Sequence, residues 1–531
     1  MKLIYAPSAK RIIPYPPVGL AILSTSVFRR TGVTPEVIDL EIELNSAHYS
    51  GSPCSLYASR VTPSKVLRAD LAREFVDYQA QLQSLVSLSE NDCLGISVMG
   101  FEQLASALLL TRMALSKHNR VILGGRFWTH EGARQVLEAV GAQGDVTVTI
   151  GDGWEAIADF ASGVDDVPRN SVTVRGGIIA RGKIAPSMTP PEPEYSWANW
   201  GSYESFSART YRCAASTRRA HLYVWDKRCN FRCAFCRVTS GSQAAIVAPA
   251  AAAAALASLS LAGVQQFNFM ANELNPSRKY LLRFLSEIED TVREPISWLT
   301  YLRADALERS DLQRVRRAGG KLVRFGVESG SQRMLDLMRK DYTIATVERS
   351  LAYSDEAGIW NHVNFMVGFP GESERDIRDT CDFIERNSAA IHSVRINPFY
   401  LPPDTAIAKE PEAFGIALTS FKDGWWEFRN LDGSPINPQI VEARIAEILQ
   451  TCTKLNINFA GSDPFFLLDI LSRFEDRASA LAYLKKEFPF YWEPAPTDVY
   501  KAKLGGYSLE QGWEHTILKR GRNYSLAICT D

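Results

Sequence analysis

A chain of 531 residues with 46% hydrophobic and 22% charged content is ordinary for a globular protein, and its length predicts roughly three or four domains. A formal net charge of -1 excludes an electrostatic case for nucleic acid or an anionic membrane surface. No apolar run approaches a membrane span, nothing at the amino terminus reads as targeting, and nine cysteines without an export signal point to a reducing cytoplasm.

Residues 1–160 alternate strand and helix signals. Strands are expected at 2–5, 34–40, 93–98, 121–124 and 145–150, with helical stretches such as 20–31 and 101–118 between them. That alternation predicts a Rossmann-like parallel sheet covered by helices, which binds ligands beyond the carboxyl ends of its strands. Those ends carry Pro16-Pro17-Val18-Gly19-Leu20, Gly95-Ile96-Ser97, Gly124-Gly125 and Gly151-Asp152-Gly153. Glycine there lets a bulky ligand approach the backbone, although glycine after a strand is more often a turn. Residues 161–215 read as a linker, with a hairpin at 172–179 turning on Gly176-Gly177 and four prolines within 186–193.

A strand expected at 221–225 runs into Arg228-Cys229-Asn230-Phe231-Arg232-Cys233-Ala234-Phe235-Cys236, a C-x3-C-x2-C spacing. Three thiolates on one loop can hold three corners of an iron-sulfur cluster and leave the fourth iron open. A closed zinc knuckle needs four ligands in two paired halves; no second half follows, and the nearest other thiol is Cys213, upstream of the strand.

From 216 to 402 the alternation continues through strands at 221–225, 266–270, 297–301, 322–326, 361–367 and 393–399. Ser310-x-x-Gln313 reads as a capping box and Gly319 as a stop, and Thr343 as the cap of a helix reaching Gly358. Six such units predict a partial (β/α)6 TIM-type barrel with its chemistry at the carboxyl ends of the strands. Polar residues stand there: Asn272 and Glu273, Arg303 and Asp305, Glu328-Ser329-Gly330, and Gly368-Phe369-Pro370-Gly371-Glu372.

Residues 403–531 are expected to form a mainly helical cap, because Val441, Ile445, Ile448, Leu449 and Cys452 keep helical spacing, as does much of 464–487. Trp425, Trp426, Phe465, Phe466, Phe488, Phe490, Tyr491 and Trp492 pack on the barrel's open side or line a substrate pocket; Cys381, Cys452 and Cys529 read as inert buried thiols.

The cysteine loop, with Phe235 just before the third thiol, resembles the signature of the radical S-adenosylmethionine (SAM) superfamily. The resemblance implies a [4Fe-4S] cluster on Cys229, Cys233 and Cys236, SAM chelating the open iron, a flavodoxin- or ferredoxin-type electron donor and a 5'-deoxyadenosyl radical. Residues 326–330 and 366–372 resemble the SAM contacts of that superfamily, which include Ser329 and Gly368. By the same likeness, the region around Asn272 and Glu273 meets the methionyl amino group. Arg303 and Glu328 hold polar parts of SAM, and backbone near Phe235 and Asn397 meets adenine. Asn272 stands where an acidic residue is common.

The order of glycine motifs in 1–160 is similar to the cobalamin-binding domain that precedes many radical SAM domains. This implies contacts at Pro17, Gly19, Ser97, Gly124, Gly125, Gly151 and Gly153. No Asp-x-His-x-x-Gly segment supplies a histidine beneath cobalt, and surface or capping roles suit His118 and His130. The chain is thus similar to class B radical SAM methyltransferases, in which methylcobalamin delivers a methyl group to a carbon radical of a small molecule or peptide. A rearrangement, ring formation, oxidation or transfer of another SAM fragment is the first alternative. The second is methylthio transfer, whose enzymes carry another three-cysteine set in the amino-terminal domain, where this chain has only Cys54 and Cys93.

Overall fold

The computed structural model describes residues 1–7, 15–48, 76–99, 101–125, 128, 137, 144–163, 167–175, 178–183, 190–211, 217–224, 229, 231–236, 247–305, 307–403, 405–422, 425–435, 437–457 and 464–488. The chain divides into two compact units, Met1–Leu222 and Tyr223–Asp531. Among the described residues no helix is long and apolar enough to cross a membrane.

The first unit is built on strands β1 (Lys2–Tyr5), β2 (Glu36–Asp39), β3 (Cys93–Ser97), β4 (Arg120–Gly124), β5 (Val146–Thr149), β6 (Ser171–Arg175) and β7 (Ile178–Arg181). They lie in the order β2-β1-β3-β4-β5-β6-β7, the first five parallel. Among the described residues its helices are α1 (Val18–Thr31), α2 (Leu40–His48), α3 (Val76–Leu85), α4 (Phe101–Leu115), α5 (Trp154–Ala161) and α6 (Trp200–Tyr211). Alternate strand residues serve two cores, as expected of a parallel sheet covered on both faces. Leu3, Tyr5 and Ile122 pack with Leu20 and Val27 of α1 and Ile157 and Phe160 of α5. Ile4, Val121 and Leu123 pack on the other face with Leu44, Leu82 and Leu108. Burying each such side chain contributes roughly 1.5–3 kcal/mol.

All five expected strands of this sheet are present. The hairpin expected within a linker instead extends it, β6 pairing antiparallel with β5 and the Thr147 and Thr173 hydroxyls lying 2.9 Å apart. The turn at Gly176-Gly177 and residues 184–189 lie outside the described residues. Helix α6, also in that stretch, is tied to the sheet by the Tyr203 hydroxyl, which donates to Asp39 Oδ2 at 2.6 Å. Strand order places the topological switch between β1 and β3, where ligands of open α/β sheets bind.

The second sheet runs β13-β12-β11-β10-β9-β8, from β8 (Arg218–Tyr223), in which the division between units falls, through β9 (Val264–Met270), β10 (Ser297–Leu302), β11 (Gly320–Glu328) and β12 (Trp360–Val367) to β13 (Ser393–Pro398). Pairings from β9 to β13 are all parallel. Between strands lie α7 (Pro249–Leu261), α8 (Arg278–Thr291), α9 (Arg309–Arg317), α10 (Gln332–Leu337), α11 (Ile344–Glu356) and α12 (Glu374–Arg386). All six strands of the expected partial barrel form. Phe269 meets Phe284 of α8 at 5.5 Å and Phe365 meets Phe383 of α12 at 6.2 Å, so these residues define the helix-covered face. The alternate residues, including Tyr301, Arg324, His362 and Asn364, define the inner one.

One cap differs from expectation. Helix α9 starts one residue before Ser310: Glu308 is its N-cap and donates its backbone N–H to Asp311 Oδ2 at 3.0 Å. Asp311 is fixed there by Arg278, whose Nε and Nη2 donate at 2.7 and 3.0 Å, a partner from another helix that local spacing does not reveal. Thr343 caps α11 as expected, accepting from Thr346 N at 3.3 Å, and Gly319 and Gly358 adopt positive φ.

Among the described residues, the carboxyl-terminal part is helical apart from one unforeseen hairpin. It contains α13 (Ala406–Lys409), β14 (Ile416–Lys422) paired antiparallel with β15 (Trp425–Asn430), α14 (Pro438–Lys454), α15 (Pro464–Arg473) and α16 (Arg477–Glu487). Phe465, Phe466 and Phe488 are buried. Helix α15 packs against β9, β10 and β11, and Gln266 Nε2 donates to Asp469 Oδ1 at 3.3 Å. Phe490, Tyr491, Trp492 and Cys529 lie outside the described residues.

Candidate active site

The three loop thiols are half-buried and none is in a disulfide. The loop is held from several sides. Ala234 N donates to Met338 O at 2.9 Å and Ala234 O accepts from Ile407 N at 3.2 Å, while Cys236 N closes a turn on Cys233 O at 3.1 Å. Both stems are pinned by one residue of α8: the Tyr280 hydroxyl lies 2.8 Å from Val224 O and 2.9 Å from Val247 O. Three soft thiol ligands on an anchored loop are the donor set of an iron-sulfur cluster with one open iron. Among the described residues no three His, Cys, Asp or Glu side chains converge on a single-ion position. Cys54, Cys213, Asn230 and His130 lie outside the described residues.

Cys229 Sγ donates toward Glu273, with both carboxylate oxygens at 3.2 Å. Burial, and then the Glu273 carboxylate, push this thiol up to about 12. Burial likewise raises Glu273 to about 7, against the opposing pull of Cys229, Arg303 and Lys340. Arg303 is buried with its guanidinium 3.6 Å from the centre of the Phe231 ring and 4.7 Å from that of Tyr342. It bonds Asp305 at 2.8 Å and also donates to Lys340 O.

Two residues that sequence reasoning missed complete this charged floor. Lys340 is buried, with Nζ 2.8 Å from Gly326 O and 3.6 Å from Glu328 Oε1, and the Tyr342 hydroxyl donates to Gly326 O at 2.7 Å. Burial alone would lower Lys340; Tyr342, Glu328 and Cys233 outweigh it and hold the ammonium above its ordinary range. In sequence, Arg339-Lys340-Asp341 reads as a solvated turn. Arg339 (φ 57), Asp341 (φ 56) and Glu328 (φ 72) all occupy the left-handed region, which costs of order 1–3 kcal/mol for non-glycine residues and clusters at functional sites. A register shift between Gly326 and Glu328 accompanies the strained backbone at Glu328.

Other expected SAM contacts are also engaged within the protein. Ser329 Oγ lies 3.3 Å from Thr380 Oγ1 and accepts from Ser331 N at 3.1 Å. A Cβ on Gly330 would come within 2.6 Å of Thr380 Cα and Phe383 Cβ, so this glycine permits close packing on α12. Gly368 has φ +88 and its N–H donates to Glu372 Oε2 at 2.8 Å. Asn397 Oδ1 accepts from Arg395 Nε at 3.0 Å, Phe235 is half-buried with Lys340 Nζ 5.8 Å from its ring centre, and Asn272 is exposed.

In the first unit the glycines separate by their surroundings. A Cβ at Gly19, Gly124 or Gly151 would meet nothing within 4 Å, whereas one at Gly125 would sit 2.1 Å from Val98 O. Gly95 is a strand residue whose Cβ would press on Leu3 and Ile157 at 2.9 Å, and Gly153 is the N-cap of α5. Pro17 precedes α1, its carbonyl accepting from Leu20 N at 3.1 Å, and Ser97 ends β3, buried and in register with Gly124. Open space at Gly19, Gly124 and Gly151 beyond strand ends fits a bulky ligand; Gly95 and Gly125 serve the chain's own packing.

Residues 224–384 match the radical SAM superfamily model, and a domain of that family carries a [4Fe-4S] cluster and SAM. Over 272 residues the chain is 26% identical to tRNA-2-methylthio-N(6)-dimethylallyladenosine synthase of Dichelobacter nodosus, covering 47% of this chain and 53% of that protein. It is 31% identical over 141 residues to the protein of the same name from Buchnera aphidicola subsp. Schizaphis graminum, covering 23% of this chain and 31% of that one. The chain thus spans about half or less of these curated relatives. Among solved structures, OxsB, described as a cobalamin-dependent SAM radical enzyme with aqua-cobalamin and SAM bound, aligns with TM-score 0.60 at 12% identity over 99% of this chain and 79% of that one. TsrM from Kitasatospora setae, a radical SAM methyltransferase with cobalamin and [4Fe-4S] cluster bound, aligns with TM-score 0.57 at 14% identity over 99% of both chains. These likenesses establish a shared fold.

Proposed function

We propose, from the premise that residues 224–384 are a radical SAM domain, that this chain is a cobalamin-dependent enzyme methylating an unactivated carbon of a small molecule or peptide. One observation carries the reading: an anchored three-thiol loop stands in a chain whose fold, along 99% of its length, is that of a cobalamin-binding radical SAM methyltransferase.

When bound, the cluster and SAM supply a 5'-deoxyadenosyl radical, and methylcobalamin supplies a methyl group. Cys229, Cys233 and Cys236 would hold the cluster. Glu273, beside Cys229, suits the methionyl ammonium, because a carboxylate accepts charge-assisted hydrogen bonds. Arg303, locked between Phe231 and Tyr342, keeps positive charge by that loop. Glu328 and Lys340 form an opposed pair for polar parts of SAM, with Ser329 and Gly368 shaping the strand ends and backbone near Phe235 and Asn397 receiving adenine. Pro17, Gly19, Ser97, Gly124, Gly151 and Gly153 would frame cobalamin, with no histidine beneath cobalt. A flavodoxin- or ferredoxin-type protein would donate the electron.

The curated relatives favour methylthio transfer as a second reading. Before residue 160 this chain has only Cys54 and Cys93, too few for a second three-thiol cluster.

Anaerobic reconstitution with iron, sulfide and cobalamin tests the proposal. The expected result is about four irons per chain, bound cobalt and 5'-deoxyadenosine formed from SAM. Deoxyadenosine without cobalt uptake would replace methyl transfer by cobalamin-free radical chemistry; about eight irons per chain would favour methylthio transfer.

A further inference from the structure

The inner face of the second sheet carries a charge that the proposed chemistry does not use. Arg324 of β11 is in register with Tyr301 on one side and His362 on the other, so all three side chains share that face. The guanidinium lies 5.7 Å from the centre of the Tyr301 ring. Its Nε is buried without a hydrogen bond, and among the described residues no carboxylate reaches it.

The acids of this face are engaged elsewhere. Glu328 faces Lys340, and Asp469 of α15 bonds Gln266, near the start of β9, and Arg473. A second guanidinium, Arg395 of β13, is in register with Asn364, which is hydrogen-bonded with His362. His362, fully covered and bonded to Ser393 Oγ at 2.8 Å, is held neutral by burial and by Arg324 and Arg395, so it adds no counter-charge.

Buried polar groups in native proteins are nearly all paired, and an orphan donor on a half-buried guanidinium needs an acceptor. The half-buried guanidinium carries paired N–H groups that match two oxygens of one anion in parallel hydrogen bonds. The Tyr301 ring stands beside the guanidinium as a wall of the site.

We propose that Arg324 anchors an oxyanion, a carboxylate or a phosphate, of the substrate on the inner face of the barrel, and that the substrate is therefore an anionic small molecule or peptide. This rests on the radical SAM reading for calling the ligand a substrate; the anion site itself stands on the geometry of Tyr301, Arg324 and His362.

The test is calorimetric titration of the reconstituted full-length protein, with SAM present, using hexanoate, hexyl phosphate and uncharged hexanol as probes. The expected result is saturable binding of hexanoate or hexyl phosphate, whichever matches the natural anion, and none of hexanol. Arg324→Leu and Arg324→Gln should each weaken that binding about tenfold or more, with Arg324→Lys intermediate. Unchanged iron content shows that the variants remain folded. Equal binding of hexanol, variants that bind as wild type does, or competition between the probes and SAM would overturn the proposal, the last by assigning Arg324 to the SAM carboxylate. Deoxyadenosine formation in the same preparations reports the radical reading separately: anion binding without SAM cleavage keeps the site and removes the reading.

Discussion

The guanidinium of Arg303 lies 3.6 Å from the centre of the Phe231 ring, joining the end of the third barrel strand to the cysteine loop between its first two thiols. A cation over an aromatic face contributes about 0.5–2 kcal/mol, more when desolvated, and Arg303 is buried. Phe231→Leu keeps an apolar side chain and removes that attraction. Iron loss from the reconstituted variant to a chelator should run several-fold faster than wild type; an unchanged rate would show that the ring only fills space.

The three thiols should be individually indispensable. Cys229→Ala, Cys233→Ala and Cys236→Ala should each abolish cluster absorbance and SAM cleavage, since two thiolates do not anchor the cluster. Wild-type absorbance in any one of them removes the assignment. Cys213→Ala should leave iron content unchanged, because the fourth iron is kept for SAM.

Cobalamin uptake should separate the glycines of the first unit. Gly124→Val fills open space without backbone strain and should lower cobalamin uptake while iron content stays constant. At Gly151 the φ of +89 makes any side chain strained, so Gly124 is the cleaner probe. Gly125→Ala should instead destabilise the unit by several kcal/mol, as its Cβ meets backbone. His130→Ala should bind cobalamin normally. Equal cobalt in wild type and Gly124→Val counts against the site.

Glu372 gives a pH signature. Burial raises its carboxyl to about 7 from 4.5, against the opposing pull of the Gly368 N–H and Arg444. The folded state therefore binds more protons than the unfolded one between those values, so stability falls as pH rises from about 4.5 to 7 and levels off above. The drop attributable to this group is on the order of 3 kcal/mol. Denaturant midpoints of Glu372→Gln across that window should show a smaller decline than wild type; parallel curves would mean that another group carries it.

Gly330→Ala should cost about 1–3 kcal/mol by overpacking against α12, read from the thermal midpoint. If Gly330 served only SAM, stability would be unchanged.

Much of this protein was legible before folding. All eleven expected strands formed, because runs such as Leu3-Ile4-Tyr5 and Val121-Ile122-Leu123 are short apolar segments between turn signals, and hydrophobic periodicity is a local property. The cysteine loop was legible for the same reason: its chemistry lies in the spacing of nine consecutive residues. Contacts between residues distant in the chain were not. Glu308 takes the helix start from Ser310 because its box partner Asp311 is held by Arg278, and the hairpin at 171–181 becomes sheet because β5 offers an open edge. Lys340 becomes part of the site because the left-handed backbone around it turns an apparent surface charge toward Glu328. The glycines show the division most clearly. Sequence marks each as a place without a side chain; only the neighbours brought by tertiary packing decide that the space beside Gly125 belongs to Val98 and the space beside Gly124 is open.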